Sequence, residues 1–203
     1  MEDRLIANKA FRVILFGIED VTGKNGLKSI LNFSGLAKYI DNPPPDNLEI
    51  QDAKVSEATK LAIAIEELFG KNGAKATLFR AGRMIGKWAI SENPDVFKAI
   101  LDSVSGKSGA EKAETILQLV AGAVSSQMNT KVWVERDGET ILYKDKTATY
   151  CFNRKSEEPI CHVAAGFVYE LPASQLPKSK VEIKEIGCMS MGEPYCTYRL
   201  IIK

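Results

Sequence analysis

Hydrophobic residues in the first two-thirds of the chain recur at the spacing of amphipathic helices. Between Ser56 and Gly70, the residues Ala58, Leu61 and Ile65 fall on one helical face. Ser56 is placed to cap this helix and Gly70 to end it. The same spacing predicts further helices over residues 8–20, 27–33, 76–90, 94–101 and 110–124, with Gly23 and Gly26 between the first two.

The hydrophobic period changes to that of β-strands after residue 130. Residues 131–136 and 140–144 are rich in β-forming residues, and the Asp137-Gly138 pair between them favours a tight turn. The sequence therefore predicts an α+β fold in which N-terminal helices pack on an antiparallel β-sheet. The remaining predicted elements are a third strand over 147–152, a helix over 161–171, and two closing strands over 180–188 and 195–202.

Three consecutive prolines, Pro43, Pro44 and Pro45, mark the best candidate for an internal boundary, because proline cannot continue a helix. We expect a single domain over residues 1–203, in which residues 1–52 form an N-terminal helical segment that could serve as a dimerisation arm. Residues 53–203 form the remainder of the domain.

The amino-acid composition favours a globular protein with a hydrophobic core and argues against a nucleic-acid-binding or membrane-spanning protein. Hydrophobic residues make up 45% of the chain, enough for a substantial core. The 27 basic residues nearly balance the 26 acidic ones, which argues against nucleic-acid binding. A signal peptide and a run long enough to span a membrane are not recognisable, so a cytoplasmic location is expected. In a reducing compartment the four cysteines would bind a metal or pack as small apolar residues, and disulfides are the less favoured alternative.

The last two strands carry the candidate chemistry. Side chains alternate along a strand, so Glu185 shares the inward face of Val181 and Ile183. A buried carboxylate needs a cation or a proton. Gly187 could introduce a bulge that turns Cys188 to the same side, and Cys196 begins the next strand.

These residues predict a zinc site near the C-terminal hairpin. Cys161, at the start of a helix, would complete a set of four ligands: Cys161, Glu185, Cys188 and Cys196. Cys151 is an alternative to Cys161, and ordinary buried cysteines remain an alternative to any metal. His162, beside Cys161, could support a ligand or simply pack. A closed four-ligand site favours a structural metal over a hydrolytic one.

The same residues resemble the 4-vinyl reductase domain family. This family includes hydrocarbon-binding proteins, a bacteriochlorophyll-biosynthesis protein and the sensor domains of phenol-responsive transcription activators, and it is similar in fold to vesicle-tethering subunits of the TRAPP type. The resemblance rests on Cys161-x4-Gly166-Phe167 and on Glu185-x2-Cys188-x3-Gly192-x3-Cys196-x-Tyr198, and more weakly on residues 69–83.

The resemblance implies a ligand-binding domain over residues 53–203 that encloses a small hydrophobic or aromatic molecule, acts in sensing or regulation, and forms a homodimer. It also implies that three cysteines and a glutamate hold Zn²⁺. Alternatives are a part in tetrapyrrole vinyl reduction and a scaffold or tethering role. No residue pattern for nicotinamide binding is recognisable, which favours a binding protein over an enzyme. Candidate ligand-binding residues are Arg80, Arg83, Trp88 and Trp133.

Overall fold

The computed structural model describes residues 2–203, which form five α-helices and six β-strands. Two very short strands near the N-terminus, β1 and β2, pair with each other, and the other four strands form one antiparallel sheet in the order β3-β4-β6-β5. The predicted α+β fold is confirmed. The helices are α1 (Asn8–Phe33), α2 (Val55–Ser91), α3 (Pro94–Ser103), α4 (Gly109–Gln127) and α5 (His162–Gln175), and the strands are β1 (Leu5–Ile6), β2 (Ala53–Lys54), β3 (Val132–Asp137), β4 (Thr140–Asp145), β5 (Val181–Gly187) and β6 (Cys196–Ile202).

Glycines interrupt the first two helices without ending them. Gly23 has φ 72° and Gly70 has φ 68°, in the left-handed region where a side chain is unfavourable. The predicted break at Gly70 is therefore present as a kink, but helical structure resumes directly after it, so the predicted gap before residue 76 was wrong. Ser56 is not the cap of α2 either. The helix begins at Val55, and Ser56 instead bonds to the Asp3 carboxylate through its backbone N–H and its hydroxyl.

The hairpin around Asp137-Gly138 is confirmed, with Asp137 opposite Thr140. The predicted third strand over 147–152 was wrong, because this segment forms turns. Ala148 has φ 53°, which an extended strand does not allow. The side chain of Asp145 also binds Thr147, which folds the chain back on itself directly after β4.

One hydrophobic core runs from Ile6 to Ile202 and includes residues of α1, α2, α4, α5 and the sheet. Helices α2 and α5 cross very closely within it. A Cβ atom added to Gly82 would lie 2.0 Å from the carbonyl oxygen of Val163, and one added to Gly166 would lie 2.0 Å from that of Phe79. Because glycine has no side chain, the backbones of α2 and α5 can approach this closely at both positions. None of the helices within residues 2–203 combines the length and apolarity of a membrane span.

Candidate metal centre and ligand cavity

All four cysteines of the chain meet at one end of the sheet. Their sulfur atoms lie within 4.8 Å of one another, and all four residues are buried. Cys161 precedes α5, Cys188 follows β5, and Cys196 begins β6. Cys151 lies in the turn segment after β4. The structure thus brings together three of the four predicted ligands, Cys161, Cys188 and Cys196. It adds Cys151, which the sequence offered only as an alternative to Cys161.

A β-bulge directs Cys188 into this cluster. The register of β5 against β6 shifts between Glu185 and Gly187, as the glycine had suggested. Cys188 then lies 3.7 Å from both Cys161 and Cys196, measured between sulfur atoms. The Ser190 hydroxyl donates to the Cys188 sulfur at 3.0 Å, which fixes the sulfur in place.

The spacing of the sulfur atoms fits a tetrahedral metal. A regular tetrahedron with Zn–S bonds of about 2.3 Å has edges of about 3.8 Å. Four of the sulfur pairs in the cluster are 3.7 Å apart, including Cys151 with Cys196 and Cys161 with Cys196. The cluster therefore has the donor atoms and the dimensions of a zinc–thiolate site.

Glu185 lies at the edge of the cluster. One carboxylate oxygen accepts a hydrogen bond of 2.9 Å from the backbone N–H of Cys161. Within residues 2–203, its other oxygen and the Tyr198 hydroxyl are the buried side-chain atoms without a hydrogen-bond partner. An unpaired, buried carboxylate oxygen is where a cation would bind. Glu185 as a direct ligand thus stays a prediction, with Cys151 as its competitor.

The environment of the cluster favours a thiolate at Cys188. Hydrogen bonds from the thiols of Cys151, Cys161 and Cys196 lower the pKa of Cys188 below its ordinary value. Burial and the neighbouring Cys188 raise the pKa of Glu185 to about 9. Among these thiols, Cys188 therefore loses its proton most readily, and a divalent cation would favour deprotonation of the others.

Next to the cluster, a cavity of about 680 Å³ lies between the helices and the sheet. Its walls are mostly apolar and come from all five helices, with Val13, Ile85, Val120 and Phe167 as examples. Its rim includes the exposed side chains of Leu48, Val96 and Leu119, so the cavity is open to the surface. The floor of the cavity comprises Tyr143, Asp145, Thr147, Thr149 and Tyr150.

The four predicted ligand-binding residues occupy different places. Trp88 lines the cavity. Arg83 forms an ion pair with the buried Glu170 at 2.6 Å, across the crossing of α2 and α5. Arg80 is exposed, and Trp133 on β3 makes an edge-to-face contact with Tyr195. Arg80, Arg83 and Trp133 are not among the residues that line the cavity.

The floor of the cavity was not predicted from the sequence, although the alternation of side chains along β4 pointed to it. Ile141, Tyr143 and Asp145 alternate along β4 and so share its inward face. Asp145 is thus a carboxylate at an inward position, the same signal that singled out Glu185. Burial raises the pKa of Asp145 above its ordinary value.

Comparisons with known proteins agree with this description. Residues 143–202 match the V4R domain family, a stretch that runs from β4 to β6 and contains all four cysteines. A segment of 60 residues is 38% identical to an uncharacterized protein of Methanocaldococcus jannaschii, MJ0855. The match covers 29% of this chain and 25% of that protein, so the chain spans about a quarter of its relative.

Solved structures of H-NOX proteins share the fold along almost the whole chain. A point mutant of the T. tengcongensis H-NOX protein superimposes with a TM-score of 0.64 and 14% identity, covering 97% of both chains. An H-NOX protein from S. oneidensis in its Fe(II)NO state gives a TM-score of 0.57 and 13% identity, covering 95% of this chain and 98% of that one. A structure described by its haem redox potential and porphyrin distortion gives 0.59 and 14%, covering 98% and 99%. At these identities the likeness is one of fold.

Proposed function

We propose that this protein binds a small hydrophobic or aromatic molecule in the cavity and acts in sensing or regulation. The observation that carries the proposal is the cavity itself. Its volume of about 680 Å³ falls within the roughly 300 to 1,000 Å³ typical of ligand sites, and its walls are apolar with a few polar groups. The V4R match and the H-NOX-like fold support the same function. Haem is not carried over from these neighbours, because His162, the single histidine, is not among the residues that line the cavity.

A thermal-shift screen with apolar aromatic compounds such as naphthalene and biphenyl tests the proposal. At least one compound should raise the melting temperature, because a ligand that binds only the folded state stabilises it. The variant Ala164→Trp, which fills the cavity from α5, should abolish the shift. Lys60→Trp, on the exposed face of α2, is the matched control and should retain it. An equal shift in both variants would place binding outside the cavity.

We further propose that the cysteine cluster holds one zinc ion. Cys151, Cys161, Cys188 and Cys196 would supply four thiolates, and Glu185 would hold the Cys161 backbone in place. Zinc in such a closed site supplies structural cross-linking of β5, β6, α5 and the segment after β4. Tyr150 lies next to Cys151 in this segment and also lines the cavity. The metal would therefore stabilise the floor that the ligand contacts.

A homodimer is the third part of the proposal. Phe16 and Phe33 on α1, and Leu68 and Phe69 on α2, are large apolar side chains with exposed fractions of 40% to 55%. Exposed apolar surface of this kind is typical of protein–protein contacts. The N-terminal segment, residues 1–52, would then contribute a dimerisation arm through α1.

A further inference from the structure

The floor of the cavity contains a buried carboxylate. Three residues with charged side chains line the cavity: Lys9, Glu92 and Asp145. Glu92 is exposed, and Lys9 forms an ion pair with Asp46 at 3.2 Å. Asp145 is only 7% exposed. Among these three residues, Asp145 is thus the buried one.

The hydrogen bonds around Asp145 use its carboxylate as an acceptor. The backbone N–H and the hydroxyl of Thr147 each donate to one of its oxygens, the latter at 3.0 Å. The Thr149 hydroxyl in turn donates to that of Thr147 at 2.9 Å. Each carboxylate oxygen can accept a further hydrogen bond, so Asp145 can still bind a donor from the cavity.

Within residues 2–203, Asp145 forms no ion pair. The guanidinium of Arg4 is near, but it donates to backbone carbonyl oxygens, including that of Thr147 at 2.6 Å. The positive charge of Arg4 offsets part of the cost of burying this carboxylate, and a cation in the cavity would offset more of it.

Aromatic rings in the cavity wall favour the same kind of ligand. Tyr143 and Tyr150 belong to the floor with Asp145, and Phe97 lines the wall, whereas the ring of Trp88 is already occupied by the Lys9 ammonium group, 5.2 Å from its centroid. The faces of aromatic rings attract organic cations, most strongly where water is excluded. A carboxylate flanked by aromatic rings is a combination that recognises an alkylated ammonium group.

From this arrangement we propose that the ligand is an apolar molecule with a protonated amine, whose ammonium group binds the Asp145 carboxylate at the floor of the cavity. This inference rests on the proposed ligand-binding function and specifies its ligand class. The apolar body of the molecule occupies the space between Val13, Val120 and Phe167, and its amine points away from the rim.

Three probes with one ring system test the inference: 1-naphthylmethylamine, 1-naphthalenemethanol and 1-naphthoate. Their affinities for the wild-type protein are measured by isothermal titration calorimetry at pH 7. The amine should bind about 10 to 100 times more tightly than the alcohol, since a hydrogen bond between charged groups is stronger than a neutral one. The carboxylate should bind more weakly than either, because it would be repelled by Asp145.

Two matched variants locate the preference. Asp145→Asn keeps an acceptor for Thr147 but removes the charge, and should bring the amine and the alcohol to within about threefold of each other. Glu92→Gln removes the exposed carboxylate and should leave the preference for the amine unchanged. Circular dichroism and melting curves show whether each variant is folded, and the probe series on the wild type remains decisive if Asp145→Asn does not fold.

The outcomes separate this inference from the proposed function. Equal binding of the amine and the alcohol to the wild type would overturn the inference and leave a hydrophobic ligand site. Loss of the preference in Glu92→Gln, but not in Asp145→Asn, would also overturn it. If none of the three probes binds, it is the proposed ligand-binding function that fails.

Discussion

At the scale of single residues, the metal centre contains four thiols with the Glu185 carboxylate beside them, and the cavity contains the Asp145 carboxylate. The alternation of side chains along β4 and β5 places Asp145 and Glu185 on inward faces of the sheet. Sequence reasoning could identify Glu185 because cysteines follow it closely. It could not identify Asp145, since the cavity that surrounds it is assembled from distant parts of the chain.

The fourth zinc ligand gives the first prediction. Cys151→Ser should lower zinc affinity by more than about 100-fold, because it removes a thiolate, whereas loss of a supporting hydrogen bond typically costs about 10- to 100-fold. Glu185→Gln keeps an oxygen that can accept from the Cys161 N–H, so it should retain about one zinc per chain by elemental analysis. The opposite pattern, with zinc lost in Glu185→Gln and retained in Cys151→Ser, would make Glu185 the ligand.

Removal of the metal gives the second prediction. If free zinc is about 1,000 times its dissociation constant, binding contributes about 4 kcal/mol to the free energy of unfolding. A strong chelator should therefore lower the stability measured by urea unfolding by about that amount, and added zinc should restore it. An unchanged unfolding midpoint would mean that the cysteines hold no stabilising metal and are ordinary core residues.

At the scale of elements, the crossing of α2 and α5 positions both the metal centre and the cavity wall. Helix α5 begins next to Cys161 and presents Val163, Ala164 and Phe167 to the cavity. Its distance from α2 is set by Gly82 and Gly166, where a side chain would meet backbone atoms. The ion pair between Arg83 and Glu170 lies beside this crossing.

The crossing gives the third prediction. Gly166→Ala should destabilise the protein by about 1 to 3 kcal/mol, because the added methyl group forces the helix backbones apart. Gly122→Ala in α4 is the control: the added Cβ has nothing within 4 Å, and the change should be neutral or stabilising by up to about 1 kcal/mol. Urea unfolding measures both. Equal effects would show that the close approach of α2 and α5 contributes little to stability.

The elements that the sequence predicts well are those determined by local chemistry. The Asp137-Gly138 turn has Gly138 at φ 58°, as a tight hairpin requires, and α4 has the capping box of Ser108 and Glu111. The segment 147–152 misleads because its threonines and aromatic residues have β propensity. Its conformation is determined instead by the hydrogen bonds to Asp145 and by the position of Cys151 in the cluster.

At the scale of the whole molecule, the fold places a cluster of four cysteines close to the floor of an apolar cavity. The α+β class could be predicted from the change of hydrophobic period, and so could three of the cysteines that meet. The cavity could not be predicted, because all five helices, β4 and the turn segment after it contribute to it from residue 9 to residue 168. The V4R match covers the cluster, the floor and the wall formed by α5, but not the walls formed by the other helices.

The assembly gives the fourth prediction. Size-exclusion chromatography with light scattering should show a dimer for the wild type and a monomer for Phe33→Glu, because a charge would replace an exposed apolar contact on α1. Lys28→Glu, an exposed change of charge on the same helix, should leave the dimer intact. A monomeric wild type would contradict the dimerisation arm.

Ligand binding in the cavity is the central claim, and the two tryptophans allow a direct measurement. Trp88 lines the cavity and Trp133 lies outside it, on the sheet. In a Trp133→Phe variant, titration with 1-naphthylmethylamine should quench or shift the Trp88 fluorescence in a saturable way. A Trp88→Phe variant, which retains Trp133, should show no such change. A fluorescence change carried by Trp133 alone, or by neither tryptophan, would contradict a ligand site between the helices and the sheet.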